Sequence, residues 1–87
     1  MDRRHEYELT TRLEDAVHNG CAHITWEELY LWYDVKKLAA GTFRDLSERF
    51  KELSGNKPSR AMMTKGRGGV FIFDRAKAEP LDPDAKK

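Results

Sequence analysis

A chain of 87 residues, 39% hydrophobic and 36% charged, has room for one domain with one modest core and little for a deep substrate cavity, so an enzyme, a small-molecule substrate and a cofactor are not expected. The net charge of +1 gives no overall preference for a polyanion, and the single cysteine, Cys21, fits a reducing compartment. The longest unbroken apolar run, Val70 to Phe73, is too short for a membrane span, and Met1-Asp2-Arg3-Arg4-His5-Glu6 lacks the apolar stretch of a signal peptide, so a cytoplasmic protein is expected.

Leu9, Leu13, Ala16 and Val17 recur at helical spacing and predict an amphipathic first helix, which His18-Asn19-Gly20 ends. A short extended piece, Cys21 to Ile24, follows. Thr25-Trp26-Glu27-Glu28 has the form of a capping box, the Thr25 hydroxyl meeting the Glu28 amide and the Glu28 carboxylate reaching back, so a second helix starts there and ends near Tyr33. Asp34 either sits in a turn or caps a third helix, because Val35, Leu38, Ala39, Phe43, Leu46, Phe50 and Leu53 keep helical spacing through Gly41. That helix stops by Ser54-Gly55-Asn56-Lys57-Pro58. Ser59 to Thr64 and Val70 to Asp74 then predict two strands joined by Lys65-Gly66-Arg67-Gly68-Gly69, a hairpin with a glycine-rich tip. From Ala76 onward two prolines and scarce large apolar residues predict a flexible tail, giving a domain over residues 1–75 and a tail over 76–87.

Charge is unevenly placed along these elements. Residues 1–35 hold three basic and eight acidic side chains, a balance of −5, whereas residues 36–67 hold nine basic and three acidic, a balance of +6. Such a chain can hold a polyanion on one face and keep the other acidic.

Helix, short strand, capped helix, helix, hairpin is an order that resembles the winged helix-turn-helix superfamily over roughly residues 5–75. The expected fold is α+β, three helices followed by a two-stranded β-hairpin wing. Gly41-Thr42-Phe43-Arg44 and Gly66-Arg67-Gly68-Gly69-Val70-Phe71 are similar to the helix-turn-helix string and the wing of GntR-type DNA-binding domains. The stretch between Val35 and Gly41 is longer than the GntR-type turn, so the resemblance is carried at the level of the superfamily. It implies double-stranded DNA as the partner and a role in transcription regulation, with Thr42 and Arg44 of the third helix at the major groove and Arg67 at the wing tip.

The chemistry of these side chains suits that role. Arg44 is able to make a bidentate contact to guanine, Thr42 to hold a phosphate, and Arg67, flanked by glycines that clear its approach, to enter a minor groove. Lys36, Lys37, Arg60 and Lys65 would add backbone contacts without sequence preference. Against this stand Asp45 and Glu48, which share the outward face of the third helix with Arg44 at 100° per residue.

A protein-interaction module is the alternative reading, using the acidic first third and the aromatic second helix. Trp26, Leu29, Tyr30 and Tyr33 make one face of that helix, and Trp32 lies off it, so Trp32 or Tyr30 is left over to line an interface. Val70-Phe71-Ile72-Phe73 alternates faces, so one pair is buried and the other needs cover from the first helix, the tail or the second subunit of a homodimer. An RNA-binding winged helix presents the same phosphate contacts. His18, Cys21 and His23 have metal-ligand residue types but lack a paired cysteine motif and a fourth ligand, so no metal is expected.

Overall fold

In a computed structural model, which describes residues 1–55, 61–82 and 84, the chain folds as α1 (Arg3–Asn19), β1 (Cys21–Thr25), α2 (Trp26–Tyr33), α3 (Ala40–Leu53), β2 (Ala61–Lys65) and β3 (Gly69–Asp74), followed by a 3-10 turn, Arg75–Lys77. This is an α+β fold with three helices and one antiparallel sheet of strand order β1-β3-β2. None of the helices among the described residues is long and apolar enough to cross a membrane.

Local chemistry sets most element ends. The Asp2 carboxylate accepts from the Arg4 amide at the start of α1, and Gly20, in the left-handed region at φ 99°, ends it by donating to the Ala16 carbonyl. The capping box at Thr25 and Glu28 forms as its sequence predicts. Asp34 closes α2 at φ 51°, with its amide directed at the carbonyls of Tyr30 and Leu31, and so belongs to the turn and does not cap the next helix. A loop then runs to Ala39, and α3 begins there without a side-chain cap.

The expected two-stranded wing is corrected to a three-stranded sheet. β1 pairs along β3 from Cys21 opposite Phe73 to Thr25 opposite Gly69, while β2 pairs along its other side from Ala61 opposite Asp74 to Lys65 opposite Val70. Without β1, one edge of β3 would leave its amides and carbonyls unpaired beside the core. Pairing also puts Ala22 and Ile24 on the same face as Val70 and Ile72, all four buried. β2 itself begins at Ala61 and extends to Lys65, so the tip shortens to Gly66-Arg67-Gly68; the expected strand residues Ser59 and Arg60 lie outside the described residues.

The core forms where α1, α2 and α3 cover that face. Leu9, Leu13 and Ala16 of α1 meet Leu29 and Trp32 of α2 and Leu46 and Phe50 of α3. Trp32 is only 1% exposed, which overturns its expected place at an interface. Its indole Nε1 donates to the Glu8 carboxylate at 3.2 Å, and the Arg12 guanidinium lies 5.5 Å from its ring. On the other sheet face Phe71 remains 50% exposed, its ring 4.6 Å from that of His23.

One ion pair ties the first three elements together. Arg12 donates through Nη1 and Nη2 to both oxygens of Glu28, at 2.8 and 2.7 Å, and through Nη1 to the His23 carbonyl at 2.8 Å. The Arg12 hydrogen bond is the largest influence on Glu28, and together with the Thr25 amide it outweighs partial burial and lowers the carboxyl from 4.5 to about 2. A carboxyl depressed in the folded state stabilises above its unfolded value, so this contribution is full above about pH 4.5 and is lost as pH falls through about 2. Glu28→Gln is expected to lower stability by about 1 to 3 kcal/mol at neutral pH, since it leaves a half-buried guanidinium poorly paired. Urea unfolding from neutral to acid pH checks this: the variant should lose less stability on acidification than the wild type, and equal slopes would reject the assignment.

Candidate nucleic-acid interface

The residues expected to contact nucleic acid lie on three elements. Lys36 and Lys37 are exposed on the loop between α2 and α3, Thr42 and Arg44 sit in the first turns of α3, and Lys65 and Arg67 belong to the hairpin, at the end of β2 and at its tip. Arg44 and Arg67 are exposed, whereas Thr42 is half-buried, its amide donating to the Ala39 carbonyl at 3.0 Å. Arg60 lies outside the described residues.

A network on α3 changes the charge around Arg44. Asp45 does not share the open face with Arg44 as helical spacing suggests. Its Oδ2 accepts from the Tyr33 hydroxyl at 2.6 Å and from Arg49 Nε at 2.7 Å, and Arg49 reaches on to Glu6 of α1 at 3.4 Å. Partial burial works to raise the Asp45 carboxyl, but the bonds from Tyr33 and Arg49 prevail and hold it below its ordinary value. Burial and the neighbouring Asp45 push the Tyr33 phenol upward. Asp45 and Arg49 thus neutralise each other in a strut between α3, α2 and α1, which leaves Glu48 as the exposed carboxylate one turn from Arg44.

The hairpin is anchored at its base. Trp26 Nε1, at the start of α2, donates to the Gly66 carbonyl at 2.9 Å, and the Gly66 amide donates to the Gly69 carbonyl at 2.8 Å. Lys65 Nζ lies 4.9 Å from the centre of the Phe43 ring. These contacts enclose a cleft of about 420 Å³, open to solvent, between the hairpin base, α2, the α2–α3 loop and the first turn of α3. Trp26, Tyr30, Lys37, Leu38, Phe43 and Lys65 line it.

Of the expected contact residues, Lys37 and Lys65 line the cleft; Lys36, Thr42, Arg44 and Arg67 are not among its lining residues. The sequence points to the aromatics of the second helix only as a protein-interaction surface; their meeting with Phe43 and the two lysines in one cleft was not foreseen. The available signal was Trp26 inside a capping box, a position at the surface end of a helix where a large ring has to find cover outside the helix itself.

Glycine at the tip divides into two kinds. A Cβ on Gly68 would meet nothing within 4 Å and one on Gly66 only ordinary contact, so both leave Arg67 open to approach. Gly69 faces inward: at φ 153°, its Cβ would stand 2.2 Å from the Ile24 carbonyl oxygen. The expectation that all the flanking glycines serve an external ligand is corrected for Gly69, whose lack of a side chain lets β3 meet β1.

Among the described residues no group of three or more His, Cys, Asp or Glu side chains is placed to hold a metal ion. Comparison with known proteins finds no matching family model, no similar curated protein and no similar solved structure.

Proposed function

We propose that the chain is a winged helix-turn-helix domain that binds double-stranded DNA, acting in transcription regulation, with α3 directed at the major groove and the hairpin at the adjacent backbone or minor groove. One observation carries this reading. Lys36, Lys37, Arg44, Lys65 and Arg67 are exposed without a carboxylate partner among the described residues, while Arg12 and Arg49 are neutralised in internal ion pairs. Unpaired cations grouped on a loop, a helix start and a hairpin suit a phosphate backbone, which rewards charge more than geometry. Arg44 supplies the side chain suited to guanine, and Glu48 an acceptor suited to a cytosine amino group.

Fluorescence anisotropy on a mixed-sequence duplex, from about 50 to about 200 mM salt, tests the proposal. Wild type should bind with a steep salt dependence, and an Arg44→Ala, Arg67→Ala double variant should bind about tenfold or more weakly with a shallower slope. Absence of binding at the lowest salt would reject it.

The protein-interaction alternative keeps one supporting observation. With Trp32 buried it rests on Tyr30, 40% exposed, and Leu31, 58% exposed, adjacent on α2. It becomes the better reading if duplex binding is absent.

A further inference from the structure

Phosphate binding needs cations alone, yet the cleft at the hairpin base combines the ammonium groups of Lys37 and Lys65 with the rings of Trp26, Tyr30 and Phe43, and no carboxylate lines it among the described residues. The cleft is shallow and largely open to solvent, so a group lying on the surface can reach it. The Trp26 N–H is engaged by the Gly66 carbonyl, which fixes the half-buried ring where it packs against the core and also lines the cleft. The Tyr30 phenol is partly exposed and has no hydrogen-bond partner among the described residues. Phe43 already carries Lys65 against its face, which holds that ammonium at the cleft wall.

Aromatic faces beside paired cations match a group that is flat at one end and anionic at the other. A paired duplex offers only the anionic part, because its bases are stacked inside. We infer that the cleft receives one unpaired nucleotide of the bound nucleic acid, its base stacked on Tyr30 and Trp26 and its phosphate between Lys37 and Lys65. This rests on the nucleic-acid reading above and narrows it: the preferred ligand is a duplex interrupted by an unpaired nucleotide.

Anisotropy with three probes of one sequence provides the test: the fully paired duplex, the same duplex with an unpaired thymidine bulge, and the single strand. Wild type should bind the bulged duplex about tenfold more tightly than the paired one. Tyr30→Ala, a surface change, should erase that difference without altering affinity for the paired duplex, and Tyr30→Phe should keep it. Equal wild-type affinity for paired and bulged duplexes, or a preference that survives Tyr30→Ala, overturns the inference while leaving the duplex reading standing. Binding of the single strand with none of the paired duplex, abolished by Tyr30→Ala, supports the cleft and rejects the duplex reading. Failure to bind any probe rejects both.

Discussion

Gly69→Ala is expected to destabilise the protein by about 3 kcal/mol or more, whereas Gly68→Ala, at the preceding residue of the same tip, should stay within about 0.5 kcal/mol of wild type. The difference follows from what each new methyl group meets. At Gly68 there is open space and a backbone that any residue adopts, while at Gly69 the methyl would stand 2.2 Å from the Ile24 carbonyl oxygen and 2.7 Å from the Thr25 Cα. Both are backbone atoms of β1, held by pairing with β3 and by the capping box that begins at Thr25, so neither can swing aside as a flexible side chain would. A positive φ adds strain for any residue with a Cβ. Relief requires the top of the sheet to open, which would also shift the hairpin and the Trp26 anchor. Thermal unfolding of the two alanine variants decides the matter: a fall in Tm of roughly 12 °C or more is expected for Gly69→Ala, and equal Tm values would show that the two strands do not approach this closely.

Trp32→Ala should cost about 3 to 5 kcal/mol, a large part of the stability of a domain this size. The indole fills the space between α1 and α2, and removing it leaves a cavity, strips Glu8 of a donor and takes the ring from under Arg12. Tyr30→Ala, two residues away on the same short helix, should change stability by no more than about 0.5 kcal/mol. Urea unfolding of both variants measures the contrast, and a Trp32→Ala protein as stable as wild type would remove Trp32 from the core. The contrast also governs how an interface on α2 is probed. Loss of partner binding by a Trp32 variant would report unfolding, so variants of Tyr30 and Leu31 are the ones that test a surface.

Trp32 shows why face assignment in a short helix was not legible in the sequence. α2 has eight residues, and its apolar side chains are too crowded to define one stripe; Trp26, Tyr30, Trp32 and Tyr33 cannot all point inward. Which one does depends on where α1 lies, and α1 sits over Leu29 and Trp32. Asp45 repeats the lesson on α3. Helical geometry puts it near Arg44, but the Tyr33 hydroxyl and Arg49 draw it the other way; Arg49 stands one turn on along the same helix, whereas Tyr33 becomes a partner only once α2 packs beside α3. Of the candidate interface, the cations and the exposed tip were legible as residues, while the aromatic cleft that gathers Lys37 and Lys65 was not.

Features whose partners lie within a turn or two of chain are specified locally: the helical spacing of Leu9, Leu13 and Ala16, the left-handed stop at Gly20, the reciprocal bonds of Thr25 and Glu28, and the change of period that makes β2 and β3. Tertiary structure decided the rest. The pairing of β1 with β3, the bidentate Arg12–Glu28 bridge, the buried Trp32 and the cleft at the hairpin base all join residues far apart in the chain. Such contacts depend on how helices and sheet share one small core, where burial and hydrogen bonding are settled between elements and no local pattern encodes the outcome.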